Sequence, residues 1–365
     1  MTTEIITIEA SEVQTRNEFN SGLLERFIAF AEVMPKSAAT YRTALNQMNK
    51  FFTAQGIEQP TRVDLLEWRK ALIAGTVDGN GRIHSDGEVA PDGRIYRLIE
   101  RNPKEGKKLY LVDEAGNQKC LAKAPSTIQL YISSAKVFFK WTAQEKLYPD
   151  IAAHMKAGVK INHEHKKDAL TATQAGSLIQ GVKGNSLKSK RDRAILALMV
   201  ATGVRCIEVN RADVRDMTEK FGRTYLKIQG KGHDEKDSEV LIPAQVVALI
   251  QDYLKARGNA ENLQPLFTST ANRNRGSRLS SQAISKIVKA NLRAAGFDTP
   301  RLTAHSLRHT AALTMLDNKV SLLQIKNVLR HVSISTTQIY ADHYDRLQNM
   351  AEQTAANAIF ATIPA

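Results

Sequence analysis

The sequence HSLRH at residues 305–309 places an imidazole and a guanidinium three residues apart. If this stretch is helical, His305 and Arg308 lie on the same side of the helix and can contact one ligand together. A second arginine, Arg205, follows the helix-ending Gly203 at the point where a new helix begins. Free backbone N–H groups and the helix dipole favour an anion there, and an arginine can bind a phosphate through two parallel hydrogen bonds. Both segments therefore indicate anion binding.

Three further residues have the side chains needed for proton transfer and nucleophilic attack. Lys231 lies between two glycines in QGKGH, His331 follows a helical stretch, and Tyr340 comes nine residues after His331. Glycines beside Lys231 would let the backbone approach a bulky substrate. The stretch STTQIYADHY also contains Tyr344, one helical turn after Tyr340, and tyrosines at this spacing are usually packing residues. We therefore expect Tyr344 to be a packing residue.

Each of these residues also has a purely structural explanation. Arg205 could pair with Glu208, the histidines could be hydrogen-bonded core residues, and Lys231 could be an ordinary hairpin lysine. A match of one residue type to one role is therefore weak evidence. The joint order of the six residues along the chain is the more specific signal.

Taken together, these segments resemble the tyrosine recombinases, also called the phage integrase family. The resemblance rests on TGVRCIEV around Arg205, Lys231 in a β-hairpin, HSLRH, and LRHVSISTTQIY ending at Tyr340. It covers about residues 165–345, and the helical N-terminal region is more loosely similar to the core-binding domain of the family.

The resemblance implies a mechanism. Family members cut one DNA strand by attack of a tyrosine on a phosphodiester, which leaves a 3′-phosphotyrosyl bond and a free 5′-hydroxyl. The implied catalytic residues are Arg205, Lys231, His305, Arg308, His331 and Tyr340, with Glu208 in support. Tyr340 would be the nucleophile, Lys231 the general acid and His305 the proton acceptor. The two arginines would stabilise the transition state with help from His331, and Glu208 would orient Arg205.

Two positions depart from the family pattern. Arg330 stands before His331, where the family usually has glycine, so the local turn is expected to differ if its backbone is left-handed. The hairpin after Lys231 continues as GHDEKDSEV, which is more acidic than the basic stretch often found there. Lys236 is therefore a second candidate for the general acid.

The helical and strand patterns around these residues predict a mainly α protein with a small antiparallel β element. We expect two domains, a helical core-binding domain and a tyrosine-recombinase catalytic domain, with a β-hairpin-like insertion in the first. The predicted segments are a flexible tail (1–20), the helical DNA-binding domain (21–156) with a β-rich flap (76–123), a linker (157–168), the catalytic domain (169–345) and a C-terminal helix or tail (346–365). The last segment has apolar residues at helical intervals and is expected to dock into a neighbouring subunit rather than cap its own domain.

Two helical stretches of the first domain have a basic face. The candidate DNA-binding residues on these faces are Arg42, Asn46, Lys50, Lys136 and Lys140. A solvated surface explains such residues more often than DNA does, so this pattern is weak by itself.

The net charge of the chain indicates the class of its binding partner. A net charge of +14 and a pI near 9.7 favour a polyanion, and double-stranded DNA is the expected one. The sequence has no apolar run long enough to span a membrane, its N-terminal residues are too polar for a signal peptide, and its two cysteines lie far apart. We expect a cytoplasmic protein with no cofactor and no metal, acting as a homotetramer on two DNA sites, with accessory DNA-bending proteins as further candidate partners.

The predicted function is site-specific recombination through a phosphotyrosyl intermediate, in DNA integration and excision or in resolution. The alternatives of similar chemistry are a type IB topoisomerase and a telomere resolvase. From other classes come a non-catalytic DNA-binding protein and a zinc enzyme that would use His305 and His309, although the glutamate of a hydrolase motif and an obvious third ligand are missing.

Overall fold

The computed structural model describes residues 21–30, 35–103, 105–159, 168–230, 235–258 and 264–361. The chain divides into two compact units, Met1–Asn162 and His163–Ala365. In the described residues each unit is mainly helical and contains a three-stranded antiparallel sheet. This confirms the predicted fold class. The predicted tail 1–20 and most of the predicted linker, residues 160–167, lie outside the described residues.

The first unit is built around helices with one apolar face. They are α1 (Ser21–Phe30), α2 (Pro35–Ala54), α3 (Arg62–Ala74) and α4 (Pro125–Gln144). In α2, Leu45, Met48 and Phe52 are 1% exposed and recur at the spacing that puts them on one side. These side chains share a core with residues of α3 and α4, so the apolar faces of these helices are buried together.

The segment inserted between α3 and α4 contains the first sheet. Its strands are β1 (Ile95–Ile99), β2 (Lys108–Val112) and β3 (Gln118–Cys120), paired in that order. Gly81 approaches α2 so closely that an added Cβ would lie 2.2 Å from the Lys50 backbone. Therefore the predicted β-rich insertion is present, and its first turn is packed against α2 rather than extended away from it.

The first helix described in the second unit begins just after Thr171. Thr171 caps it, with its hydroxyl accepting the Gln174 N–H. The elements that follow are α5 (Ala172–Gln180), α6 (Leu187–Thr202), α7 (Cys206–Arg211), β4 (Met217–Lys220), β5 (Arg223–Ile228), β6 (Ser238–Ile242), α8 (Ala244–Arg257), α9 (Ser281–Ala294), α10 (Ala304–Asp317), α11 (Leu322–Leu329), α12 (Ile334–Gln348) and α13 (Ala351–Phe360). Helix α6 is buried on most sides, as its sequence AILALMV indicates.

Two details of this unit differ from the sequence interpretation. Strand β4 adds a third strand beside the predicted hairpin, and its sequence MTEK has no apolar alternation that could have revealed it. The last helical stretch is interrupted at Asn349, whose ψ of 118° is extended, so α12 and α13 are separate helices. The boundary drawn at residue 345 therefore falls inside α12.

Candidate active site

The end of α6 and the start of α7 form the first part of the site. Gly203 ends α6 in the left-handed region with φ 65°, and an added Cβ would lie 2.6 Å from the Leu329 side chain. Arg205 then stands immediately before α7. Glycine is thus needed both for the turn and for the close approach of α11.

Glu208 contacts Arg205 through both carboxylate oxygens. Its Oε1 accepts a hydrogen bond from Arg205 Nη1 at 2.9 Å, and its Oε2 accepts the Arg205 backbone N–H at 2.7 Å. The Glu208 side chain is fully buried. Burial alone would raise the pKa of Glu208, but the positive charges of Arg330 and Arg205 outweigh it and keep the pKa below its ordinary value.

Arg308 on α10 is buried at the centre of the site. Its Nη1 donates to the Gly203 carbonyl at 2.6 Å and its Nη2 donates to the Leu329 carbonyl, so it joins the ends of α6 and α11. Burial lowers the pKa of Arg308 to about 10, and the nearby charges of Arg205 and Arg330 act in the same direction. Arg308 therefore remains cationic at neutral pH.

Tyr340 on α12 is buried beside His331. Their rings are parallel within 5° and their centroids are 5.9 Å apart. Burial raises the pKa of the Tyr340 hydroxyl, although the adjacent Arg308 opposes this. The phenol is therefore protonated at neutral pH.

Thr337 orients His331. The Thr337 hydroxyl is fully buried, one helical turn before Tyr340, and lies 2.8 Å from Nδ1 of His331. Burial lowers the pKa of His331 to about 4, and the positive charges of Arg308, Arg205 and Arg330 add to that effect. His331 is therefore a neutral imidazole at physiological pH.

Tyr344 has a different environment. Its hydroxyl donates to Asp317 Oδ1 at 3.1 Å, so it links α12 to the end of α10. This matches the role of a packing residue with a hydrogen-bonded tip.

His305 lies at the exposed edge of the site. Its ring is 6.0 Å from that of His309, which is buried and meets the Tyr340 ring edge to face at 4.6 Å. The predicted proton acceptor is thus near the site, but His309 is in direct ring contact with the tyrosine.

Lys231 lies outside the described residues, so its predicted position near the site stays a prediction. The preceding Gly230 is described, and its carbonyl accepts a hydrogen bond from Arg211 Nη1 at 2.9 Å. Arg211 belongs to α7, so the end of the strand is tied to the helix that starts at Arg205. Lys236, the second candidate for the acid, instead forms ion pairs with Asp213 at 2.8 Å and with Asp216. These contacts favour a structural role for Lys236.

Arg330 is a site residue whose contacts the sequence did not predict. It has φ 56° and ψ 48°, so the left-handed backbone considered above is present, at a cost of about 1 to 2 kcal/mol for a residue other than glycine. Its Nη2 donates to Glu208 Oε2 at 2.8 Å. The departure from glycine was visible in the sequence, but the contact with Glu208 was not.

The cluster has an excess of positive charge. Among the residues that the structure describes here, the guanidinium groups of Arg205, Arg308 and Arg330 lie near one carboxylate, that of Glu208, and His331 is neutral. Such an arrangement of buried cations and donors suits a phosphate group. In the described residues no group of three or more histidine, cysteine, aspartate or glutamate side chains could hold a metal ion. None of the described helices has the length and apolarity needed to cross a membrane.

The candidate DNA-binding residues of the first unit lie on α2 and α4. Asn46, Lys136 and Lys140 are exposed. Arg42 is also exposed and pairs with Glu25 at 3.0 Å, whereas the Lys50 ammonium contacts the Gly79 carbonyl of the insertion at 3.4 Å. Lys50 therefore has a structural contact in addition to its exposed position.

Sequence comparison finds a matching family model and similar tyrosine recombinases. Residues 168–346 match the model of the phage integrase family. A tyrosine recombinase XerC from Corynebacterium glutamicum is 32% identical over 223 residues, which cover 60% of this chain and 68% of the relative.

Solved structures give the same fold. The XerH site-specific recombinase bound to its palindromic difH substrate superposes with a TM-score of 0.61 and 18% identity, covering 93% of this chain and 84% of XerH. A lambda integrase tetramer bound to a Holliday junction gives a TM-score of 0.57 at 15% identity, covering 87% and 76% of the two chains.

Proposed function

The chain belongs to the phage integrase family of tyrosine recombinases, which break and rejoin DNA in site-specific recombination, and we propose that Tyr340 is its nucleophile. The observation that carries this proposal is the burial of Tyr340 against Arg308 and His331, in a cluster with more cations than carboxylates. A phosphodiester placed there would complete the charge balance of the cluster.

The proposed cleavage is a transesterification. Tyr340 Oη forms a bond to the phosphorus of the scissile phosphate, and the bond from phosphorus to the 5′-oxygen breaks. The products are a 3′-phosphotyrosyl ester and a free 5′-hydroxyl. Because the ester retains the energy of the broken bond, attack by a 5′-hydroxyl can rejoin a strand without ATP.

Two proton transfers accompany this exchange. The Tyr340 proton must leave, because burial keeps the phenol protonated, and His305 is the proposed acceptor. The departing 5′-oxygen must gain a proton, and Lys231 is the proposed donor. Asp213 and Asp216 bind Lys236, which makes Lys231 the better candidate.

The charge that develops on the non-bridging oxygens would be stabilised by donors. Arg205 and Arg308 supply guanidinium groups, and Glu208 and the Gly203 carbonyl hold these in position. When Thr337 donates to Nδ1 of His331, the neutral ring carries its proton on Nε2 and can donate it to the phosphate.

The proposed partner is double-stranded DNA, bound in part by α2 and α4 of the first unit. We further propose a homotetramer acting on two sites in the cytoplasm, with accessory DNA-bending proteins as further candidate partners. The lambda integrase tetramer on a Holliday junction supports this assembly by analogy. The XerC and XerH relatives favour strand exchange, in integration and excision or in resolution, over the topoisomerase and telomere-resolvase alternatives.

Covalent capture tests the nucleophile. The protein is incubated with a pool of labelled duplexes that carry a randomised core and one nick, so that the released strand diffuses away and the adduct accumulates. We expect an adduct on a denaturing gel with the wild type and with Tyr344→Phe, and none with Tyr340→Phe. An adduct that survives Tyr340→Phe but disappears with Tyr344→Phe would overturn the assignment.

A further inference from the structure

Arg330 directly precedes His331 and is held in a backbone conformation that favours glycine. It ends α11 in the left-handed region, with φ 56° and ψ 48°. Glycine would adopt this conformation without steric strain. A strained residue persists where the surrounding structure requires it. The contacts of the Arg330 side chain therefore indicate its role.

The Arg330 side chain is largely buried and contacts the site residue Glu208. It is 12% exposed, its Nη2 donates to Glu208 Oε2 at 2.8 Å, and its Nη1 donates to the Val328 carbonyl of α11. One guanidinium therefore bonds both to its own helix end and to a carboxylate of another helix, which the planar fork of arginine allows.

Glu208 transmits this contact to Arg205. Its Oε1 receives Arg205 Nη1 and its Oε2 receives the Arg205 backbone N–H. The same carboxylate thus joins the end of α11 to the start of α7. With Arg330 in place, both carboxylate oxygens have cationic partners, and the position of Glu208 is set from two sides.

We propose that Arg330 is a positioning residue that holds Arg205 through Glu208 and fixes the backbone from which His331 projects. The inference rests on the proposed function, because Arg205 and His331 are taken to bind the scissile phosphate. The usual family pattern has glycine at this position, and glycine has no side chain that could contact Glu208. In this chain the Arg330 side chain makes that contact.

The test is the single-turnover rate of covalent adduct formation by Arg330→Gly. The substitution relieves the backbone but removes the contact with Glu208, and a misplaced group can cost about 100-fold in rate. We expect adduct formation to slow by about 10- to 100-fold, with the dissociation constant for DNA unchanged within about 3-fold because Arg330 is buried.

Lys319→Gly is the matched control. Lys319 is also a basic residue with a left-handed backbone, φ 62°, but its side chain is exposed. The control relieves the same kind of strain away from Glu208, and we expect a rate within about 2-fold of the wild type. A loss confined to Arg330→Gly therefore reports the side-chain contact rather than the backbone change.

A double-variant cycle separates positioning from a general loss of structure. Arg330 and Glu208 act through one contact, so Arg330→Gly combined with Glu208→Gln should be no slower than the slower single variant. The His331 pKa should rise in Arg330→Gly, since the Arg330 charge helps to depress it. Additive losses in the double variant would contradict the positioning role.

The outcomes also separate this inference from the proposed function. If the wild type forms no adduct on any duplex of the pool, the proposed function fails. If the wild type reacts and folded Arg330→Gly reacts at the same rate, the Arg330 inference alone fails. Should the glycine variant not fold, Arg330→Met keeps the length of the side chain without its donors, and a wild-type rate for it would overturn the inference.

Discussion

At the scale of residues, the site is governed by an excess of buried positive charge. Arg205 and Arg330 bind the carboxylate of Glu208, and their positive charges disfavour protonation of the neighbouring Arg308 and His331. Burial lowers the pKa of His331 from an ordinary 6.5 to about 4, and the positive charges of Arg308, Arg205 and Arg330 add to that effect. This environment therefore favours an anion over a further proton.

The lowered pKa of His331 predicts that the free energy of unfolding depends on pH. Between pH 6.5 and about 4 the unfolded chain binds a proton at His331 that the folded protein does not, so the free energy of unfolding falls as the pH is lowered through this range. Solvent screens the imidazole in part, and we expect a loss on the order of 2 kcal/mol. Denaturant unfolding at a series of pH values measures the loss, and His331→Gln should remove it.

Nuclear magnetic resonance titration gives a direct check of the same group. The ring signal absent from the His331→Gln spectrum should titrate near pH 4 in the free protein and at higher pH with DNA bound, because a phosphate favours the imidazolium. A His331 signal that titrates near pH 6.5 without DNA would contradict the buried, positively charged environment.

At the scale of elements, helix ends assemble the site. Arg205 lies at the start of α7, Arg330 and His331 follow α11, and Arg308 joins the ends of α6 and α11 through their carbonyls. Helix ends have backbone groups without partners in the helix itself, which side chains from other helices can satisfy. The site is therefore tied to the positions of whole helices, and a shift of α11 would move several of its groups at once.

The separate helix α13 lies in the segment that the sequence predicts to dock into a neighbouring subunit. It has no buried residue among those described, and Ile359 is 60% exposed. We expect Ile359→Asp to weaken assembly on paired DNA sites by about 10-fold or more while binding to one site is retained, because a charge would be buried at the interface. Analytical ultracentrifugation with one-site and two-site duplexes measures both.

Thr354→Asp is the control for this helix, since it adds the same charge on another side of α13. It should leave assembly unchanged. Equal loss in both variants would indicate a general effect of charge on the helix, and no loss in either would argue against docking through this face.

At the scale of the whole molecule, the net charge of +14 predicts DNA binding that depends strongly on salt. If Lys136 and Lys140 each neutralise one phosphate, then Lys136→Gln with Lys140→Gln should reduce the slope of log K against log salt by about 1.8. Fluorescence anisotropy with a labelled duplex from 50 to about 200 mM salt measures this slope.

Lys70→Gln is the comparison for this prediction. Lys70 is an exposed lysine of α3, outside the two basic helix faces. Its removal should leave the slope unchanged within about 0.3. A reduction of about 0.9 for Lys70, half that of the pair, would show that the slope reports net charge rather than a contact with α4.

The sequence alone was sufficient for the features that depend on nearby residues. Leu45, Met48 and Phe52 recur at helical spacing and are buried, Gly203 ends a helix as its sequence position indicates, and Thr171 has the side chain of a helix cap. The order of the motif residues indicated the family. These signals are readable because helix caps and amphipathic faces depend on side chains within a few positions of one another.

The tertiary structure decided how these local features meet. The sequence raised the question of the Arg330 backbone, but only the fold brings its guanidinium to Glu208, 122 positions away, and places His309 against Tyr340. It also shows strand β4 and the separation of α12 from α13. Such contacts follow from how whole helices pack, and a spacing along the chain carries no information about which distant residue will lie opposite.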